Sequence, residues 1–405
     1  MGRGLPLAAG ATLLALVVTG GAPTAQATRN PVRALAAPVC ADAGPSAVID
    51  AVPWAQERYA PQRLAAFADG RGVTVAVIDS GVDARHPQLA AAVLPGRDLL
   101  DGGTGTVDCA SHGTAVASII AARPAPGVGF RGLAPAARVL PVRISEQQVV
   151  EDGTVGRTVP PAGLAEAIRY AVSRGAHVIN ISAVLYQDHP EVRAAIRYAV
   201  DADVIVVAAV GNLHDRGDPT PYPAAYPGVL GVGAIGPDGT RLPRSQVGSY
   251  VDVVAPGGQV TAATRVAGHA TYEGTSFAAP FVAATAALLR QYRPDEPADA
   301  VARRILATAD PAPGGPGSTE YGHGVLNPYR ALTERPAVGP EPDPPAPLPP
   351  EEVDPAAQAL SIQRDGERRL ALRTAAAAGL GALVTLALAS VVPRGRRRRW
   401  RPEAL

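Results

Sequence analysis

Apolar residues run almost unbroken through Val73-Thr74-Val75-Ala76-Val77-Ile78 and through 204–210, and a similar run fills 176–182. Runs without polar alternation predict strands buried on both faces, as in a parallel sheet. Residues 138–143, 229–235 and 251–254 read as further, shorter strands. Between them lie segments that read as helices: 112–122, 163–174, 190–202, 276–291 and 297–309. Strands alternating with helices give βαβ units, which predicts an α/β fold with a mainly parallel central sheet flanked by helices. Residues 94–110 read as a glycine-rich loop and 145–161 as a polar loop, and no repeat of fixed period is present.

The two ends depart from this pattern. Arg3, an apolar core from Leu5 to Val18 and the small-x-small site Ala25-Gln26-Ala27 make residues 1–27 a secretory signal peptide. Residues 28–60 are an N-terminal extension before the first strand, and 61–335 hold the folded domain. From Pro336 to Pro355 the chain is rich in Pro, Glu and Asp, so 336–360 reads as an extended linker. Thr374 to Pro393 carries no charge and matches the length of roughly 20 residues needed to cross a bilayer. A transmembrane helix is therefore expected over 372–393. Arg394, Arg396, Arg397, Arg398, Arg399 and Arg401 follow it, so 394–405 is expected to be a cytoplasmic basic tail. The expected topology is a single-pass protein of the cell membrane with its folded domain outside the cytoplasm.

Charge and composition remove several function classes. The net charge of +1 offers no global field for nucleic acid. All 37 basic residues are arginine, which excludes a serine–lysine dyad, a lysine Schiff base and a P-loop lysine. Two cysteines, Cys40 and Cys109, are too few for a cysteine-rich zinc site. In an exported chain they can form a disulfide, and no other intrachain pair exists. It would close a loop of about 70 residues and, by loop entropy, stabilise by about 4 kcal/mol.

Candidate chemistry sits at three element ends. Asp79 closes the first apolar strand, where open α/β sheets place their sites. His112 opens an apolar helix. Ser276 lies in Gly274-Thr275-Ser276-Phe277-Ala278-Ala279-Pro280, a tight turn entering a helix of small residues. Backbone N–H groups at a helix start favour negative charge. Taken singly, Asp79 also fits a turn residue and Ser276 a helix cap. Taken together, hydroxyl, imidazole and carboxylate are the parts of an activated nucleophile. With Val75-Ala76-Val77-Ile78-Asp79-Ser80-Gly81-Val82, His112-Gly113-Thr114-Ala115-Val116-Ala117 and the Ser276 block in that order, the chain resembles the subtilisin-like serine proteases over roughly 53–333. The resemblance implies a subtilisin-like fold and peptide-bond hydrolysis. In it Asp79 orients the imidazole, His112 is general base and acid, Ser276 is the nucleophile, and Asn212 completes the oxyanion hole. It also implies that Ser182, Ala183 and Val184 meet the substrate. Val184 stands where the family usually has glycine, which would narrow the first specificity pocket.

Within that family, Pro53-Trp54-Ala55-Gln56, Gly105-Thr106-Val107-Asp108-Cys109 and the order of signal, domain, proline-rich linker and terminal helix resemble the mycosins. These are membrane-anchored proteases tied to type VII secretion in actinobacteria. The resemblance implies an extension that stays attached and wraps the domain, pinned here by Cys40–Cys109. It implies a peptide or protein substrate and a type VII secretion membrane complex as partners. A second cysteine pair common in that group is missing here. No cofactor and no metal is expected, and His86, His177, His189, His214, His269 and His323 are expected to be structural or superficial. Two other readings remain: a mainly structural subunit of the secretion complex, and an esterase. The absence of a Gly-x-Ser-x-Gly elbow speaks against the esterase.

Overall fold

The computed structural model describes residues 40, 45–146, 148–150 and 153–335. The expected signal peptide, linker, transmembrane helix and basic tail lie outside the described residues.

In chain order the described strands are β1 (Thr74–Asp79), β2 (Arg97–Asp98), β3 (Arg138–Arg143), β4 (Gln148–Val150), β5 (Gly153–Val155), β6 (Val178–Ile181), β7 (Ile205–Ala209), β8 (Val229–Ile235), β9 (Val253–Pro256), β10 (Val260–Ala263) and β11 (His269–Tyr272). Seven form one sheet in the order β2-β3-β1-β6-β7-β8-β9. Every pairing in it is parallel. The unbroken apolar runs follow from this, because β6, β7 and β8 are buried along their whole length.

The helices are α1 (Trp54–Tyr59), α2 (Pro61–Leu64), α3 (His112–Ala121), α4 (Pro161–Ser173), α5 (Pro190–Asp201), α6 (Thr275–Tyr292), α7 (Ala298–Ala307) and α8 (Pro328–Thr333). One apolar core joins α3 and α6 to one face of the sheet, and a second joins α4 and α5 to the other. The path from β1 through α3 to β3 runs one way along the sheet. The path from β3 through α4 to β6 runs back past β1. The neighbours β1 and β6 therefore flank the point where winding reverses, and their carboxyl ends open onto a crevice.

Helix α6 is the central element. All residues from Phe277 to Leu289 are buried, as expected of a helix apolar on every side. Its alanines let it pack closely on α3 and on β6 to β9. Pro280 lies inside α6 and has no N–H to give the carbonyl of Ser276, four residues earlier. The Ser182 hydroxyl donates to that carbonyl instead, at 3.2 Å.

Several elements were not in the sequence reading, among them β2 inside the expected glycine-rich loop 94–110 and α8. The expected polar loop 145–161 contains the antiparallel hairpin β4–β5, whose strands are too short to carry a clear alternation. Strands β10 and β11 form a second hairpin that leads into α6. The extension contains α1 and is bonded to the domain. Ser46 N–H donates to Ala267 O at 3.0 Å, His269 N–H to Ala47 O at 2.9 Å and Gly129 N–H to Ile49 O at 2.9 Å. Tyr59 then packs edge-on against Phe281 of α6 at 5.5 Å. Cys40 and Cys109 form a disulfide with Cα atoms 5.0 Å apart.

Candidate active site

Asp79 is the last residue of β1, and its carboxylate is buried. Its Oδ1 accepts from the Ser80 backbone N–H at 2.6 Å and lies 2.7 Å from His112 Nδ1. Oδ2 is buried with no hydrogen-bond partner. The imidazole is thus the nearest compensation for the carboxylate charge. Burial opposes protonation of His112, but the charge and hydrogen bond of Asp79, with a further contribution from Asp108, outweigh it and hold the imidazole above its ordinary 6.5.

The start of α3 places His112. Ser111, the residue before the helix, is left-handed at φ 64° and makes no side-chain cap. The free N–H groups of the first turn find other acceptors. Gly113 N–H donates to the Ser80 hydroxyl at 2.9 Å, and Thr114 N–H donates to Asp108 Oδ2 at 2.8 Å. Position 113 must be glycine, because a Cβ there would lie 2.0 Å from the Gly81 carbonyl oxygen. That close approach brings the helix start against the end of β1.

Ser276 lies in the first turn of α6. Gly274 precedes the helix at φ 137°, a backbone region that favours glycine, and a Cβ there would stand 3.2 Å from Asn212 Nδ2. Asn212, three residues after β7, accepts from Thr275 N–H through Oδ1 at 3.0 Å. With Oδ1 so engaged, Nδ2 remains to the amide as a donor. Thr275 Oγ1 in turn accepts from Gly211 N–H at 3.1 Å. The Ser276 hydroxyl donates to the Ser182 carbonyl at 3.4 Å. Phe277 packs against the His112 ring at 5.0 Å with the two planes inclined by 55°, which couples the first turns of α3 and α6.

Asp79, His112 and Ser276 line one cleft of about 360 Å³, together with Ser182, Ala183 and Val184. Ile144, Val159, Leu164 and Leu185 supply apolar walls. The residues expected from sequence to form the site, Asp79, His112, Ser276, Ser182, Ala183 and Val184, line this crevice, and Asn212 bonds to the segment carrying Ser276. Residues 182–184 follow β6 as irregular chain rather than as a continued strand. Among the described residues no cluster of His, Cys, Asp or Glu is arranged to hold a metal. His86 and His269 are buried, facing each other at 6.1 Å.

Sequence reasoning missed Ser80, Asp108 and Thr114. Asp108 is 2 % exposed and also accepts from the hydroxyls of Ser80 at 2.9 Å and Thr114 at 2.6 Å. A carboxylate four residues before a helix-opening histidine was a signal, but nothing in the sequence says that it folds back under that helix.

The Asp79–His112 pair and Ser276 thus border one cleft at the carboxyl edge of a parallel α/β sheet, and comparison with known proteins places the chain in a family. The profile of the Subtilase family matches residues 70–324. Mycosin-1 of Mycobacterium tuberculosis is 38% identical over 386 residues, covering 83% of this chain and 85% of that protein. Thermitase of Thermoactinomyces vulgaris is 32% identical over 285 residues, covering 69% of this chain and 97% of the enzyme. Among solved structures, MycP1 from Mycobacterium smegmatis aligns with a TM-score of 0.63 at 32% identity, over 76% of this chain and 91% of that one. MycP3 protease from the type VII (ESX-3) secretion system aligns with a TM-score of 0.61 at 31% identity, over 71% and 91%. The chain belongs to the subtilase family of serine proteases, and within it is mycosin-like.

Proposed function

We propose that this chain is an exported, membrane-anchored endopeptidase that hydrolyses peptide bonds through Asp79, His112 and Ser276 and works beside a type VII secretion complex. The observation that carries the chemistry is the 2.7 Å contact of His112 Nδ1 with Asp79 in the cleft that Ser276 also lines. Asp79 accepts a hydrogen bond from His112 Nδ1–H, which leaves the Nε2 lone pair as the base. A rotation of the Ser276 side chain away from the Ser182 carbonyl turns its hydroxyl toward that base. Ser276 then attacks the scissile carbonyl and transfers its proton to His112, and Asp79 stabilises the imidazolium. The oxyanion is held by Asn212 Nδ2 and Ser276 N–H at the positive end of α6. His112 returns the proton to the leaving amine, and water repeats the sequence on the acyl-enzyme. Val184 and the apolar cleft walls select uncharged, apolar substrate side chains.

The place of action rests on the sequence of the two ends and on relatives described as components of type VII secretion systems. Labelling with a fluorophosphonate tests the chemistry. The wild type is expected to label and Ser276→Ala is not, and equal labelling of both ends the assignment. For the anchor, the full chain should resist alkaline extraction from membranes while a chain ending at residue 335 is released. Release of both removes the anchor.

A further inference from the structure

We infer that Asp108, a buried carboxylate outside the triad, is the positioning residue for His112: it clamps the first turn of α3 to the end of β1 and sets a second negative charge behind the imidazole. The inference rests on His112 being the general base.

The geometry gives Asp108 four donors. Oδ1 accepts from the Ser80 hydroxyl at 2.9 Å and Ala110 N–H at 3.0 Å, and Oδ2 accepts from Thr114 N–H at 2.8 Å and the Thr114 hydroxyl at 2.6 Å. Ser80 adjoins Asp79 in the chain, and Thr114 is two residues beyond His112. One carboxylate therefore ties together the segments that carry both members of the Asp79–His112 pair. It does so where Ser111 cannot, since the left-handed backbone of that residue leaves the helix without a local cap. A carboxylate at a helix start also interacts favourably with the helix dipole. Cys109, the next residue, is bonded to Cys40, so the disulfide anchors the chain beside the clamp.

The neighbouring charged groups are few. Asp79 faces His112 from β1 and Asp108 faces it from the loop before α3. Tyr272 of β11, stacked on Phe277, faces Asp108. From the turn between β10 and β11, Arg265 donates its backbone N–H to the Ser111 hydroxyl at 3.2 Å. Burial lifts Asp108 to about 6 against the pull of Thr114 and Ser80. Above that pH its charge favours imidazolium, and the base is stronger than Asp79 alone would make it.

The test uses the full chain with 13C-labelled histidine and reads the titration of His112 by NMR, which needs no turnover, beside the pH profile of fluorophosphonate labelling. Asp108→Asn keeps the shape and removes the charge, and because its amide nitrogen cannot accept from Ala110 N–H or Thr114 N–H it also opens one side of the clamp. It is expected to lower the His112 midpoint by about half a pH unit and to slow labelling at pH 8 about tenfold. A midpoint that does not move overturns the inference, whatever happens to the rate. If Asp108→Asn does not fold, Ser80→Ala decides: it keeps the charge, opens the clamp and is expected to slow labelling at an unchanged midpoint. Labelling of Ser80→Ala at the wild-type rate then overturns the clamp. Failure of the underlying reading looks different, because Ser276→Ala would retain the label.

Discussion

Helices α3 and α6 both begin at the cleft, yet their first turns are finished in opposite ways. The start of α3 is closed by a carboxylate and a hydroxyl, through Thr114 N–H to Asp108 and Gly113 N–H to Ser80. Negative charge collects behind His112, where a proton will arrive. The start of α6 is closed by a neutral amide, through Thr275 N–H to Asn212 Oδ1. No acidic residue lies in its first turn. The N–H of Ser276 has no acceptor among the described residues, and Asn212, with Oδ1 held by Thr275, keeps Nδ2 as a donor. Negative charge is kept away from the site where the oxyanion would form. One structural feature, the electropositive end of a helix, is neutralised on the side that would hold a cation in the proposed mechanism and left open on the side that would receive an anion.

The comparison can be broken most decisively on the α6 side. Asn212→Ala removes the Nδ2 donor and is expected to cut kcat by about 100- to 1000-fold with KM little changed, the size that such a donor carries in subtilisin. Steady-state kinetics on a peptide that the wild type cleaves would check it. A drop seen only in KM would mean that Asn212 binds substrate and not the oxyanion.

The α3 side is read through pH. His112 acts as base only when neutral, and the two carboxylates hold it above 6.5. Activity is therefore complete above that raised midpoint. As the pH falls through it, the imidazole gains its proton and the rate drops, reaching about tenfold per pH unit. A kcat/KM profile with its acid midpoint below 6.5 would contradict the charge placement.

The smallest effect on activity is expected from the disulfide, which touches only the α3 side. Replacing Cys40 and Cys109 by serine together should lower activity a few-fold while reducing stability by up to about 4 kcal/mol. Denaturant unfolding read beside the labelling rate separates the two. An unchanged unfolding midpoint would show that the extension is held by its hydrogen bonds and by the packing of Tyr59 on Phe281, without help from the disulfide.

Much of this architecture was legible in the residues. β1, β3, β6, β7 and β8 fall where apolar runs predicted them, because a strand buried on both faces leaves an unmistakable pattern. The ends of β1, α3 and α6 were legible too, since Asp79, His112 and Ser276 each sit where a regular pattern begins or stops. The hairpins β4–β5 and β10–β11 were not. Their strands are three or four residues long and are fixed by pairing and by neighbours rather than by periodicity.

Local sequence thus determined which segments are strands, which are helices and which side chains stand at their ends, because periodicity and turn chemistry act over a few residues. It did not determine what lies behind those side chains. That Asp108 takes the Ser80 hydroxyl, that Asn212 turns its oxygen to Thr275, and that Ser182 answers the carbonyl freed by Pro280 depend on segments tens of residues apart. Only the winding of the sheet brings such donors and acceptors within 3 Å or so of one another. Their burial then makes each missing partner costly, and so fixes the arrangement.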